Sequence, residues 1–223
     1  GSSKTYILQS VVLGEYSIYD INNPKVLGRS SFDAGLKGSA GSYSYGIAGM
    51  NTQGSLQNFL KVHGKKLGLP AGQSRAYYES KEFRELFNKK AYENPEAMKE
   101  AQSDFVYNHY FPQALGGKTT KEYLKSIRND PKFYNNLGLN VMLADMTIQA
   151  PQMTPPRLKK FVQSNNLTDP ETIIKEFTEY NKQFISGDFR SALRNSSAST
   201  AGLIRRNNVR RDNALNVVEF DLE

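Results

Sequence analysis

Apolar side chains recur at three- and four-residue intervals along most of this chain, which is the spacing of amphipathic helices. The first such segment covers residues 5–19 and ends before Asn22-Asn23-Pro24, because proline has no backbone donor and restricts the residue before it. Residues 137–148 are the most apolar segment and are predicted to form a buried central helix, in which Asp145 needs a partner. The pattern predicts an all-α fold of about eight or nine helices.

Capping residues mark where several of these helices begin. Thr119 precedes Glu122 by three positions, and Thr168 precedes Glu171 in the same way, which is the spacing of a capping box. Ser80 is a third candidate, because a serine hydroxyl can accept a hydrogen bond from a backbone N–H group of the first turn. We therefore predict helices that begin directly after Thr119, Thr168 and Ser80.

Residues 28–54 interrupt the helical pattern, because glycines crowd together there and long aliphatic side chains become scarce. We predict a small irregular Gly/Ser-rich loop or hairpin region, close to the N-terminus. A flexible linker is the alternative, but Tyr43, Tyr45, Ile47 and Met50 are too apolar for a linker. Glycine lets the backbone approach a ligand closely, and tyrosine rings offer flat faces on which sugars can lie. The region is therefore a candidate binding loop.

Length and composition are those of a globular protein. The chain has 223 residues, of which 38% are hydrophobic and 11% aromatic. Gly1-Ser2-Ser3 resembles a cloning scar without a signal-peptide pattern, so we expect residues 4–223 to form a single domain, either alone or as a fragment of a larger protein. No apolar run reaches the length of about eighteen residues that a membrane-spanning helix needs, so no membrane span is expected.

Several kinds of chemistry are excluded by the residues that are absent or badly spaced. The chain has no cysteine, which excludes disulfides and a thiol nucleophile. His63 and His109 lack the spacing of a metal site and the context of a serine triad, so we expect no metal and no cofactor. Phosphate-loop and dinucleotide patterns are also missing. Carboxylate chemistry is what remains.

The net charge of +7 indicates either a polyanionic partner, for which both nucleic acid and the bacterial wall are candidates, or a protein that is basic without such a partner. Arg205, Arg206, Arg210 and Arg211 cover about a third of a predicted helix near the C-terminus. This set is either an ordinary solvated face or a surface for an anionic polymer. Aromatic residues are not interleaved with these arginines, which makes nucleic acid the less favoured partner.

Glu15 is the candidate for acid chemistry. Cleavage of a glycosidic bond needs a carboxylic acid that is still protonated near neutral pH, and desolvation raises the pKa of a carboxyl group. Glu15 is flanked by Leu13 and Tyr16, which would desolvate it. An ordinary surface glutamate is the alternative interpretation. Asp33 is the candidate for a second carboxylate, with Asp20 behind it.

Two segments resemble lysozyme-like peptidoglycan glycosidases, which occur in phage particles and in spike-associated wall-degrading proteins. Residues 41–60 contain G-S-Y-S-Y-G-I-A-G-M-N and then G-S-L-Q-N-F-L, which resembles the pattern G-x-S-Y-G…G-x-L-x-x-F-L of that group. Residues 101–112 contain A-Q-S-D-F-V, Tyr110 and Pro112, which resembles its A-Q-x-x-F-[IV]…Y-x-P segment. Residues 205–215 are similar to its C-terminal arginine-rich helix.

The resemblance implies a lysozyme-like helical domain in which Glu15 is the general acid of a muramidase or lytic transglycosylase. It also implies a set of cleft residues around the Gly/Ser-rich region. These are Tyr43, Ser44, Tyr45, Gly46, Asn51, Gln102 and Tyr110. If Asp33 faces Glu15, hydrolysis by water is favoured. If no second carboxylate does so, the 6-hydroxyl of the substrate attacks and an anhydro sugar is formed.

The partner that the resemblance implies is bacterial peptidoglycan, and further partners are other virion or secretion-spike proteins. The implied place of action is the periplasmic cell wall, reached from a virion or by secretion. Gly49 stands where related transglycosylases carry a glutamine. A catalytically silent peptidoglycan-binding or virion structural domain of the same fold is therefore the alternative function.

Overall fold

Helices dominate the computed structural model, which describes residues 3–16, 20–34, 41–47, 49–185 and 200–222. The helices of the N-terminal half are α1 (Ser3–Tyr16), α2 (Pro24–Leu27), α3 (Ser55–Leu67), α4 (Arg75–Tyr78), α5 (Lys81–Glu93) and α6 (Pro95–Phe105). A π-helix (Val106–Tyr110) follows, and then α7 (Phe111–Ala114), α8 (Thr120–Ile127), α9 (Pro131–Tyr134), α10 (Leu137–Gln149), α11 (Thr154–Ser164), α12 (Pro170–Asn181), a 3-10 turn (Lys182–Phe184) and α13 (Thr200–Leu215).

A small antiparallel sheet accompanies the helices. Its strands are β1 (Ser30–Asp33), β2 (Ser42–Tyr45) and β3 (Met50–Asn51), in the order β1-β2-β3. The prediction of a mostly helical chain with a small hairpin region near the N-terminus is confirmed. The term all-α is too strict, because the structure contains this three-stranded sheet. The sheet lies within the predicted Gly/Ser-rich region.

The chain forms two compact units. The first unit contains residues 1–17 and 107–223, and the second contains residues 18–106. That residues 4–223 form a single domain stays a prediction. The sheet and α2 to α6 belong to the second unit, whereas α1 and the helices from α7 onwards belong to the first.

The central helix α10 organises the first unit. Its residues from 137 to 147 are all buried, which confirms the prediction made from its uniform hydrophobicity. It packs against α1, α12 and α13. Gly138 permits the approach of α13, because a methyl group at this position would lie 2.6 Å from the carbonyl oxygen of Ala214. The side chain of a larger residue would push these two helices apart.

The core of the second unit is formed by amphipathic helices and one face of the sheet. Helix α3 turns one side inward, and the buried residues on that side are Leu56, Phe59, Leu60, Gly64 and Leu67. It ends at Gly68, whose φ of +72° is a left-handed conformation that glycine adopts without strain. Helix α5 contributes Phe83 and Phe87, which are fully buried.

Two of the three predicted helix starts are confirmed. The Thr119 hydroxyl accepts a hydrogen bond from the Glu122 N–H group at 3.2 Å, and the Glu122 carboxylate accepts one from the Thr119 N–H group at 3.1 Å. Ser80 caps α5 by accepting from the Phe83 N–H group at 3.2 Å. The prediction for Thr168 is wrong by one residue, since Asp169 caps α12. Pro170 explains the shift, because proline fits the first helical position and leaves the preceding residue to cap.

Asp169 gives α12 a pH-dependent start. Its carboxylate accepts hydrogen bonds from the Thr172 hydroxyl at 2.7 Å and from the Thr172 N–H group at 3.0 Å, and these bonds lower the pKa of Asp169 below its usual value of 3.8. Because the folded pKa is the lower one, this stabilisation is present above the unfolded pKa and is lost as pH falls through the folded pKa.

We expect Asp169→Ala to lower the free energy of unfolding by about 1 kcal/mol at neutral pH, because the cap is lost. Asp169→Asn should retain most of the stability, since asparagine also caps helices. Chemical denaturation of the three proteins between neutral pH and about pH 3 is the measurement. The wild type should lose its advantage over Asp169→Ala on acidification, and an unchanged difference would contradict the capping role.

Candidate functional site

The register of the sheet brings a set of polar side chains to one face. Asp33 pairs with Ser42, Ser31 pairs with Ser44, and Ser44 in turn pairs with Asn51. Paired residues share a face and successive residues alternate between faces, so all five side chains belong to the same side of the sheet. We call Ser31, Asp33, Ser42, Ser44 and Asn51 the polar face.

Asn51 holds the hydroxyl groups of the polar face in fixed positions. Its side-chain amide donates to the Ser42 hydroxyl at 2.7 Å and to the Ser44 hydroxyl at 3.3 Å. Its backbone N–H group donates to the Ser55 hydroxyl at 2.7 Å, which joins β3 to the start of α3. Ser31 is exposed, Ser44 and Asn51 are half-buried, and Ser42 is buried. A fixed group of hydroxyls and amides beside a carboxylate is suited to bind a polyhydroxylated ligand.

Tyr45 lies on the opposite face and belongs to the core, which corrects its predicted place in the cleft. Its side chain is 0% exposed, and its ring lies 5.3 Å from that of Phe83 and 5.1 Å from that of Phe87. Its hydroxyl donates to the Tyr78 carbonyl oxygen at 2.5 Å. Burial raises the pKa of the Tyr45 phenol, so this group stays protonated and keeps its hydrogen bond. Tyr45 positions β2 against α4 and α5.

Tyr43 shares the face of Tyr45 but is only half-buried. Its ring lies 5.2 Å from that of Phe32, and the Arg84 guanidinium carbon lies 4.5 Å from its ring centroid. The two predicted tyrosines therefore do not share a face with Asp33 and Ser44. Any ligand on the polar face would meet hydroxyl and amide groups there, and Tyr43 would contact a different part of the surface.

Gln102 is a positioning residue, which corrects its prediction as a substrate-binding one. It is 0% exposed, its Oε1 accepts from the Ile47 N–H group at 2.9 Å, and its Nε2 donates to the Leu27 carbonyl oxygen at 2.8 Å. Gly46 lies against it with a φ of +70°, and a methyl group at Gly46 would lie 2.6 Å from Gln102 Oε1. Gly46 donates its backbone N–H group to the Arg29 carbonyl oxygen at 2.9 Å. Together they fix the turn that follows β2.

We expect Gln102→Leu to lower the free energy of unfolding by about 2–4 kcal/mol. The substitution leaves the Ile47 N–H and Leu27 carbonyl groups buried without their partner, and each such group costs about 1–3 kcal/mol. Urea denaturation measures the loss. Gln113→Leu on the exposed side of α7 is the matched control and should change stability by less than about 0.5 kcal/mol. Equal stabilities for the two variants would remove the positioning role.

Two predicted site residues belong to the first unit. Tyr110 ends the π-helix, is half-buried, and has its ring centroid 6.0 Å from that of Phe111. Glu15 lies in the last turn of α1, but its side chain is outside the described residues. Gly49 has a φ of +62° with no atom within 4 Å of a methyl group placed there. That Glu15 and Asp33 act on one substrate stays a prediction.

The four C-terminal arginines do not form one exposed face, which both interpretations of the sequence required. Arg210 is 2% exposed, and its Nε lies 3.2 Å from Oδ1 of Asp145, which is itself 1% exposed. Arg210 also donates to the side chains of Gln149 and Asn207. Burial raises the pKa of the Asp145 carboxyl, and the Arg210 charge opposes that shift. The partner that Asp145 needed therefore comes from α13.

Two features are absent from the described part of the chain. No group of three or more histidine, aspartate or glutamate side chains is arranged there to hold a metal ion. None of its helices combines the length and hydropathy required to cross a membrane.

Comparison with protein-family models, with curated proteins and with solved structures finds no match to this chain. The function is therefore inferred from the residues of the site itself. Its strongest component is the polar face, since the sheet register places one carboxylate, three hydroxyl groups and one amide on the same side, of which only the Ser42 hydroxyl belongs to a buried residue. Of the residues predicted from the sequence, Asp33, Ser44 and Asn51 share this face.

Proposed function

We propose that the protein is a peptidoglycan glycosidase that cuts the glycan strand between wall amino sugars. The observation that supports this most directly is the polar face, on which the sheet register aligns Asp33 with Ser42, Ser44 and Asn51. Sugar rings carry many hydroxyl groups, and fixed hydroxyl and amide partners bind them in one orientation. The resemblance of residues 41–60 to lysozyme-like glycosidases supports the choice of glycosidic-bond cleavage as the reaction.

In the proposed reaction, Glu15 is the general acid and protonates the leaving glycosidic oxygen. Asp33 is the second carboxylate, which either activates a water molecule or stabilises the positive charge that develops on the sugar ring. Ser44 and Asn51 bind sugar hydroxyl groups. If Asp33 does not act on the substrate, the 6-hydroxyl of the sugar attacks its own anomeric carbon, and the protein is a lytic transglycosylase.

Gln102 and Gly46 fix the backbone next to the proposed site. Their contacts fix the turn between β2 and β3, and so they limit how far Ser44 and Asn51 can move relative to one another. These features are expected of a site that must hold its groups in place before the substrate binds.

A catalytically silent peptidoglycan-binding or virion structural domain is the second candidate, and Gly49 favours it. This residue has a φ of +62°, which disfavours any residue with a side chain, at the position where related transglycosylases carry a glutamine. A chain without that glutamine could bind the glycan strand and leave it intact.

Mass spectrometry of the soluble material released from purified peptidoglycan tests the proposal. Reducing ends indicate a muramidase, and 1,6-anhydro ends indicate a lytic transglycosylase. The same preparation is tested for co-sedimentation with peptidoglycan, and its circular dichroism establishes that it is folded. Folded protein that co-sediments with several wall chemotypes but releases no fragments would reject the glycosidase in favour of the silent domain.

A further inference from the structure

Helix α3 presents a strip of lysines on the side that faces away from its buried residues. Lys61 and Lys65 are exposed one helical turn apart, and Lys66, which follows Lys65 directly, is exposed as well. The sequence contains no aspartate or glutamate between Asp33 and Glu79, although the whole chain has 22 acidic residues. The positive charge of α3 is therefore not balanced by carboxylates on the same helix or in its flanking segments.

Helix α5 adds two lysines beside the end of α3. The Lys90 side chain passes close to Gly68, where a methyl group would lie 3.1 Å from Lys90 Cε. The neighbouring Lys89 lies on the same helix. We call Lys61, Lys65, Lys66, Lys89 and Lys90 the lysine strip. A pocket of about 330 Å³ opens within it, and its polar lining residues are Lys65, Lys66, Lys90, Glu93 and Asn94.

The lysine strip has an excess of positive charge. Glu93 is shared between Lys90 at 3.2 Å and Lys89 at 3.7 Å. No ion pair between described residues includes Lys61, Lys65 or Lys66. The helix C-terminus favours cations in the last turn, which accounts for Lys65 and Lys66. It does not account for Lys61, which lies outside that turn.

Lysines on α12 and in the 3-10 turn after it are paired with glutamates. Lys175 lies 2.8 Å from Glu171 on α12, and Lys182 lies 2.8 Å from Glu179. Such pairs at three- and four-residue spacing keep a solvated face close to neutral. The three lysines of α3 have no such pair among the described residues, and Lys89 and Lys90 lie beside the end of the same helix. Charge complementarity therefore points to a ligand with several negative charges.

We propose that the lysine strip binds a phosphodiester polymer of the bacterial wall. The choice of a wall polymer rests on the proposed function. Lysine ammonium groups act as point charges on flexible stems, whereas arginine imposes a planar two-bond geometry. A strip of lysines therefore fits a mobile chain of phosphates. The described residues that line the pocket include no aromatic ring, and stacking of nucleic-acid bases has no platform there.

The probe for this proposal is soluble poly(glycerol phosphate), titrated with the full chain at about 50 and 200 mM salt. The test variant is Lys61→Gln/Lys65→Gln/Lys66→Gln. Its affinity at the lower salt should fall on the order of tenfold, and the dependence of log affinity on log salt should become shallower by about two. The control is Lys121→Gln/Lys132→Gln/Lys160→Gln, which removes the same charge from exposed positions in the first unit. Its affinity should stay close to that of the wild type.

Equal losses in the two triple variants would overturn the proposal, because net charge alone would then explain binding. Tighter binding of single-stranded DNA with the same number of phosphates would overturn the choice of a wall polymer. The outcome is separable from that of the glycosidase proposal, because polymer binding requires no bond cleavage. Wild-type protein that binds the polymer through the lysine strip but releases no glycan fragments would reject only the glycosidase.

Discussion

Replacing Glu15 by glutamine is expected to lower the rate of fragment release from purified peptidoglycan by about two to four orders of magnitude, the range that a general acid typically contributes. The carboxamide has the size of the carboxylic acid but cannot donate the proton that the leaving oxygen needs. The melting temperature should remain nearly unchanged. The measurement is the initial rate of release, followed by mass spectrometry of the products.

Glu219→Gln is the matched control, since Glu219 is exposed and outside the predicted site. It should release fragments at the wild-type rate. Equal rates for Glu15→Gln and the wild type would remove Glu15 from the mechanism. Asp33→Asn then separates the two reaction types. It should slow a muramidase strongly, whereas a lytic transglycosylase should still form anhydro ends.

Asp145→Asn is expected to lower the free energy of unfolding by about 3–5 kcal/mol, the largest stability effect that we predict. The substitution keeps the shape of the side chain but leaves the Arg210 guanidinium buried without its counter-charge. For a chain of this length the melting temperature should fall by roughly 10 °C. Urea denaturation and a thermal melt monitored by circular dichroism measure both quantities.

The double variant Asp145→Leu/Arg210→Met provides the comparison. It removes both charges and fills the space with apolar atoms, and it should recover much of the lost stability, because buried ion pairs are often replaceable in this way. Glu171→Gln is the surface control and should cost less than about 1 kcal/mol, since its partner Lys175 is 57% exposed. A loss of similar size for Asp145→Asn and Glu171→Gln would show that the buried pair contributes little.

The long helices could be predicted from the sequence because their pattern repeats over several turns. Helix α10 is mostly apolar around its circumference, and α3 has one apolar stripe. Both helices could therefore be predicted without knowledge of the fold. Helices of four residues, such as α4 and α9, are too short to show a period. The predicted and observed caps of α12 differ. The Thr-x-x-Glu motif predicts a cap at Thr168, but Pro170 occupies the first helical position and therefore leaves Asp169 to cap the helix.

The roles of the site residues were less predictable than the helices, because each role depends on contacts between residues that are distant in the sequence. A four-residue strand shows which side chains alternate, but not which face a helix will cover. Tyr45 became a core residue because Phe83 and Phe87 lie against its face. Gln102 binds two backbone groups, and a side chain's backbone partners cannot be predicted from the sequence, because nearly every residue carries the same backbone groups. Arg210 is a similar case, although the predicted burial of Asp145 indicated that this residue needs a partner.

The division of the chain between its two units has a consequence for synthesis on the ribosome. The second unit is one continuous stretch, residues 18–106, so all of its residues emerge together. The first unit needs α1, which precedes that stretch, together with α10 and α13, which follow it. Until α10 and α13 have emerged, the apolar side of α1, which carries Ile7, Leu8, Val11 and Val12, lacks the helices that cover it. The nascent chain therefore carries this apolar segment uncovered while the whole second unit is synthesised, and this is the period in which a chaperone would bind it.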